Sequence, residues 1–116
     1  MDDLTITRLC AESMGFKPAT FYGDNFVIRK RNAITNKLNS YCHRYNPLHN
    51  KAQMAELIEA LSLQIDPDGV PARQWRVGCW IQHEIDWIYE EDSNLSRAVC
   101  LCAAKYQQAK ETGKHE

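Results

Sequence analysis

Residues 75–89 decide the fold, and they read WRVGCWIQHEIDWIY. Seven of the eight odd-numbered positions are apolar or aromatic, against two of the seven even-numbered ones. Because side chains alternate between the two faces of a strand, this period of two predicts a sheet with one covered and one wetter face. One long strand or two collinear strands would satisfy the pattern. Helices from elsewhere in the chain must cover the apolar face.

Three segments have apolar residues at the helical spacing i, i+3, i+4, and they cover residues 3–14, 51–63 and 95–106. Each follows a side chain whose oxygen can accept hydrogen bonds from free backbone N–H groups. These candidate caps are Asp2 or Asp3, then Asn50, then Asp92 or Ser93. The rest of the chain predicts a hairpin over 19–30, with arms at 20–22 and 25–28, and a short strand around 41–45. The polar residues 109–116 predict a frayed tail.

The length and composition indicate one α+β domain over residues 1–116, large enough for one modest core. The net charge of -1 argues against bulk nucleic-acid binding. The chain has no apolar run long enough for a membrane span and no signal peptide at its start, so we expect a cytosolic protein. The five cysteines have no C-x-x-C spacing, and we expect reduced, buried thiols rather than a metal site or another cofactor site.

Catalytic signatures are absent from the sequence, which has no nucleophile elbow, no phosphate-binding loop and no dinucleotide fingerprint. His83-Glu84 resembles the beginning of a zinc-protease motif, but Trp87 stands where the second histidine belongs. Glu84 and Asp86 would share one strand face, as a carboxylate pair must, although solvated carboxylates are the commoner reading of such a pair. We therefore expect a protein that binds rather than one that catalyses.

Aromatic and basic neighbours supply the candidate ligand-binding residues. Trp80 lies on the otherwise polar face of the 75–89 stretch, and Arg76 shares that face. An aromatic ring can stack on a nucleobase while a guanidinium binds phosphate oxygens, although a helix or a second subunit could instead cover this face. Arg44-Tyr45 has the same pairing of an aromatic with a basic residue.

Two further arginines are candidates for anion binding. Arg97, near the start of the last helix, could bind an anion together with the helix dipole, or it could pair with nearby acids. Arg31 closes the basic triplet of residues 29–31, which is either a solvated strand end or a patch that faces an anion.

Four segments resemble the phage ABA-sandwich family of small proteins, which includes accessory proteins of the NinX type. They are AESMGF at 11–16, YNPLHNKA at 45–52, WRV at 75–77 and DSNLSRAVCLCAA at 92–104. Their order and spacing span nearly the whole chain. The resemblance implies a small α-β-α sandwich, in which about three helices pack on an antiparallel sheet.

The resemblance also implies a function. Some phage proteins of similar size and layout are anti-defence sponges, which bind cyclic nucleotide or cyclic ADP-ribose immune signals between subunits and do not cleave them. Our first hypothesis is a homo-oligomeric binder, a dimer or larger, of such a small nucleotide. The alternative is a phage accessory module that binds and inhibits or redirects a host protein through the same aromatic residues. A weaker alternative is a small hydrolase that uses Glu84, Asp86 or a histidine.

Overall fold

A computed structural model of the chain describes residues 1–18, 27–29, 34–35, 37, 43–67, 74–81 and 86–113. The elements in chain order are α1 (Asp3–Ser13), β1 (Lys17–Pro18), β2 (Val27–Arg29), β3 (His43–Arg44), α2 (Lys51–Leu61), β4 (Gln64–Pro67), β5 (Trp75–Ile81), β6 (Asp86–Asp92) and α3 (Leu95–Gly113). The strands form two antiparallel sheets, a small one with the order β1-β2-β3 and a main one with the order β4-β5-β6. The predicted α+β class, with three helices and an antiparallel sheet, is confirmed.

The stretch 75–89 is a hairpin. β5 and β6 are antiparallel, and Trp75 pairs with Asp92 while Ile81 pairs with Asp86. The expectation of one long strand or two collinear strands is therefore wrong. The period of two is present in both strands, but the chain reverses direction between them.

The reversal changes which aromatic residues share a face. Residues 82–85 separate the two paired ends, so odd-numbered residues of β5 pair with even-numbered residues of β6. Directly paired residues of an antiparallel sheet share a face. Trp87 and Tyr89 therefore lie on the face of Trp80, whereas the sequence pattern placed them with Val77 on the covered face.

Helix α3 is central to the packing, because it contacts β5, β6, α1 and α2. Three of its buried positions are alanines, Ala98, Ala103 and Ala104, and all three are fully buried. Short side chains let neighbouring helices and strands approach closely, since interaxial distances depend on the residues at the contact. The buried cluster around α3 reaches Leu57 of α2 and Ile28 of β2.

Two of the three predicted helix caps are confirmed. Asp2 accepts a hydrogen bond from the Thr5 N–H at 2.8 Å, and Asn50 accepts one from the Gln53 N–H at 3.0 Å. The third cap is Asn94, one residue beyond the predicted pair. Its side-chain oxygen accepts from the Arg97 N–H at 3.1 Å.

The end of α1 follows its sequence signal. Gly15 has φ +75°, a left-handed conformation that glycine adopts at little steric cost. The Gly15 N–H then donates to the Glu12 carbonyl, and the Phe16 N–H donates to the Ala11 carbonyl. These two bonds make a Schellman motif, which directs the chain from α1 into β1.

Four cysteines, Cys10, Cys79, Cys100 and Cys102, are buried free thiols. Cys10 Sγ donates to the Cys100 carbonyl oxygen at 3.3 Å. Hydrogen bonding with Cys100 and burial raise the pKa of the Cys10 thiol, and hydrogen bonding with Cys79 and burial raise that of Cys102. These thiols act as small core residues, as the sequence predicts.

Several predictions fall partly or wholly outside the described residues. The hairpin arm at 20–22 lies outside them, and only residues 27 and 28 of the second arm are described, both in β2. The predicted strand at 41–45 is observed as β3. Helix α3 continues to Gly113, which is further than the polar tail suggests. Among the described residues, no helix is both long enough and apolar enough to cross a membrane.

Candidate functional site

The main sheet has one face that α3 covers and one face that is exposed. We call the exposed side the open face, and its residues are Gln64, Asp66, Arg76, Gly78, Trp80, Trp87, Tyr89 and Glu91. Trp80 is 42 % exposed and Tyr89 is 50 % exposed. Large aromatic residues with this much exposed area, adjacent on one surface, mark an interaction site more often than a simple solvated face.

The rings of the open face contact each other across and along the hairpin. The Trp80 and Trp87 ring centroids are 5.5 Å apart, with the ring planes at 61°. The Trp87 and Tyr89 rings are nearly parallel at 17°, with centroids 6.0 Å apart. The three rings therefore form a continuous aromatic strip over β5 and β6.

One end of this strip carries a guanidinium. The Arg76 Cζ atom lies 5.0 Å from the centroid of the Tyr89 ring, within the range of a cation–π contact. Arg76 Nε also lies 3.3 Å from a carboxylate oxygen of Glu91, its cross-strand partner. The ring and the carboxylate together hold this guanidinium on the open face.

Gly78 makes room for the strip. A Cβ atom at this position would lie 2.9 Å from Tyr89 Cε1 and 3.4 Å from Trp87 Cε3. The absence of a side chain lets the Tyr89 ring lie over the β5 backbone. This glycine therefore shapes the open face rather than a turn.

We expect Gly78→Ala to lower the free energy of unfolding by about 1 kcal/mol, because the new methyl group displaces the Tyr89 ring. In a Tyr89→Ala background the same change should instead stabilise the strand by about 0.5 kcal/mol, since glycine is unfavourable inside a strand. Urea unfolding of the four proteins in this double-mutant cycle measures the coupling. Equal effects of Gly78→Ala in both backgrounds would show that the ring does not depend on the glycine.

The structure separates the predicted ligand-binding residues. Arg76 and Trp80 share the open face, as predicted, but Arg76 contacts Tyr89. Arg97 pairs with Asp3 at 2.9 Å and with Asp92 at 3.7 Å. Arg97 therefore links the beginning of α3 to the beginning of α1. Of the two predictions made for this residue, the structure agrees with the one in which it pairs with nearby acids.

The Arg44-Tyr45 pair is divided by burial. Arg44 is exposed and lines a small cavity of about 200 Å³ at the N-terminus of α2, together with Asn46, His49, Asn50 and Gln53. Tyr45 is only 1 % exposed, and its ring packs edge-on against Phe16. The prediction that Tyr45 binds a ligand is therefore wrong, because its ring belongs to the core. Arg31 lies outside the described residues.

The residues of the open face that the sequence analysis missed include Asp66, Trp87, Tyr89 and Glu91. A sequence signal for Trp87 and Tyr89 was present in His83, the one polar residue among the odd-numbered positions of 75–89. The antiparallel pairing of β5 with β6 places the second set of aromatic residues beside Trp80. A single continuous strand hides that juxtaposition.

Comparison with protein-family models, with curated proteins and with solved structures finds no match to this chain. The resemblance to the phage ABA-sandwich family therefore stays a prediction, and the functional inference depends on the open face.

Proposed function

We propose that this protein is an interaction module, which binds a protein partner on the open face and does so without catalysis. The observation that carries this proposal is the continuous strip of Trp80, Trp87 and Tyr89 on a sheet face that α3 does not cover. Tryptophan and tyrosine are the residues most enriched among the energetic centres of protein interfaces. They offer a large rigid contact area at a low cost in side-chain entropy.

The layout of the open face suits an interface. Polar residues adjoin one end of its aromatic strip, where Asp66, Arg76 and Glu91 form one cross-strand row and are all exposed. Protein interfaces usually have an apolar centre and a polar rim, and this row supplies such a rim on one side. The Arg76–Glu91 ion pair also fixes the position of one rim residue before any partner arrives.

A second candidate function is the one that the resemblance implies, the sequestration of a small cyclic nucleotide by an oligomer in the bacterial cytosol. The near-parallel Trp87 and Tyr89 rings favour it, because a nucleobase could stack beside them. The pairing of Arg76 with Glu91 opposes it, since a phosphate would first have to displace that carboxylate. Arg97 is likewise engaged with Asp3 and Asp92.

The test uses immobilised protein and a bacterial lysate, with the retained proteins quantified by mass spectrometry. Trp80→Ala should reduce the captured partner by at least about tenfold, because removal of a central interface tryptophan typically has an effect of this size. The matched control is Leu4→Ala, which removes an apolar side chain of similar exposure, 49 %, from α1. A partner retained equally by all three proteins would remove the open face from the interaction.

Native mass spectrometry tests the second candidate on the same proteins. The panel is cyclic dinucleotides, cyclic trinucleotides and cyclic ADP-ribose isomers. An adduct of intact ligand mass that Trp80→Ala abolishes and Leu4→Ala preserves would favour nucleotide binding over the protein partner. Release of the ligand intact after heating would separate a sponge from the hydrolase alternative.

A further inference from the structure

The open face already holds one cation. The Arg76 guanidinium lies over the Tyr89 ring at 5.0 Å and beside the Glu91 carboxylate at 3.3 Å. A ring face attracts a cation through its quadrupole, and a carboxylate attracts it by charge. A ring and a carboxylate of the open face thus already contact one cationic side chain of the same chain.

The aromatic part of that arrangement is repeated further along the hairpin. Trp80 and Trp87 are directly paired, two residues along β5 from the Gly78–Tyr89 pair. Tryptophan is the best ring for a cation–π contact. The described part of the chain places no basic side chain over the Trp80 ring, which is 42 % exposed.

The charges of the open face are mainly acidic. Its described charged residues are Asp66, Arg76 and Glu91, two carboxylates and one guanidinium. Arg76 and Glu91 compensate each other. Asp66 is exposed, and no described residue forms an ion pair with it, so one carboxylate beside Arg76 stays available to a partner.

We propose that the open face binds a basic segment of its protein partner, with an arginine or lysine side chain over the Trp80 ring and a second basic group near Asp66. This inference depends on the proposed function and names the chemistry of the partner. An anionic ligand would meet Asp66 and Glu91 and would have to separate Arg76 from Glu91. A cationic segment meets complementary charge without breaking any contact that the structure contains.

The experiment uses three capped decapeptides in which glycine alternates with arginine, glutamine or glutamate, together with adenosine monophosphate. Binding to the full chain is measured by isothermal titration and by the change in tryptophan fluorescence. We expect the arginine peptide to bind at least about threefold more tightly than the glutamine peptide, with no measurable binding of the glutamate peptide. Raised salt should weaken the arginine peptide's binding.

Three variants locate the contact. Trp80→Ala should weaken the arginine peptide's binding by about three- to tenfold, the range of a cation–π contact on a ring of this exposure. Asp66→Asn should weaken it by about twofold to fivefold, the range of an exposed ion pair. Glu59→Gln removes the same charge from the exposed surface of α2 and should change nothing. Circular dichroism checks that all three variants fold.

Four results would overturn the inference that the open face binds a basic segment. Equal losses in Glu59→Gln and Asp66→Asn would mean diffuse attraction to an acidic protein and would overturn the inference. No binding of the arginine peptide would overturn it as well. Equal affinity for the arginine and glutamine peptides, with a loss in Trp80→Ala, would overturn the inference and leave the interaction module intact. Preference for the nucleotide would overturn it in favour of the second candidate function.

Discussion

Leu57→Ala should lower the free energy of unfolding by about 2–5 kcal/mol, the usual range for a buried leucine. Leu57 is fully buried, and it is the one residue of α2 that is. Met54, Ile58 and Leu61 also pack against the core but are only partly buried, so Leu57 is the side chain of α2 that is most completely inserted. The missing methyl groups would leave a cavity that neighbouring core residues fill only partly. Urea unfolding followed by circular dichroism measures the change.

The matched control lies one turn further along the same helix. Leu61→Ala makes the same chemical change at a half-buried position, the last residue of α2. We expect a loss of about 1 kcal/mol there, since the half-buried Leu61 side chain removes less apolar surface from water on folding than Leu57 does. If the two variants lost the same stability, burial at Leu57 would not be what attaches α2 to the core.

Tyr45→Phe should stabilise the protein by about 1–2 kcal/mol, which is the opposite of what most core substitutions do. The Tyr45 hydroxyl is buried and has no hydrogen-bond partner among the described residues. Burial also raises the pKa of this phenol above its ordinary value. Removing a buried polar atom that makes no bond removes its desolvation penalty while the ring stays packed against Phe16.

Thermal and urea unfolding measure whether Tyr45→Phe raises or lowers the free energy of unfolding. Tyr89→Phe removes a hydroxyl from a half-exposed ring of the open face and should change the stability by less than about 0.5 kcal/mol. A loss of 1 kcal/mol or more in Tyr45→Phe would show that the hydroxyl is bonded, for instance to an internal water. Spectrophotometric titration of the wild type should show one phenol that resists ionisation above pH 10 until the protein unfolds, because the folded state disfavours its charged form.

Local signals in the sequence predicted the helices because their causes are local. Asp2 and Asn50 each cap a helix through an N–H three residues away, a distance at which the chain has little freedom. The third cap was misplaced by one or two residues because Asp92, Ser93 and Asn94 all carry a suitable oxygen. Asp92 instead accepts from the Asn94 N–H at 2.8 Å, which leaves Asn94 to cap the helix.

The site was predicted only in part because its contacts depend on pairing. Arg76 and Trp80 follow from the alternation within one strand. Trp87 and Tyr89 join them only through the register of β5 with β6. That register depends on where the chain turns, and residues 82–85 give no strong turn signal such as a glycine or a proline.

The sequence could not predict long-range ion pairs for the same reason, since they too depend on how distant segments pair. Arg97 meets Asp3 across 94 positions of sequence, so no local pattern connects them. Tyr45 was misassigned because its neighbour Arg44 is basic and exposed, a pairing that is typical of a binding surface. The fold instead places the ring among core residues contributed by α1 and α3.

The reactivity of the four buried thiols can report when parts of the core open. Cysteine-directed alkylating agents react with the thiolate, and all four sulfur atoms are buried while the core is closed. Hydrogen bonding and burial also raise the pKa of the Cys10 and Cys102 thiols, which keeps these two protonated. Labelling at Cys10 and Cys100 therefore requires the contact between α1 and α3 to separate, whereas labelling at Cys79 and Cys102 requires the sheet to leave α3. Peptide mapping after timed exposure to the reagent can thus distinguish partial from complete unfolding in the native chain, with no label introduced by mutation.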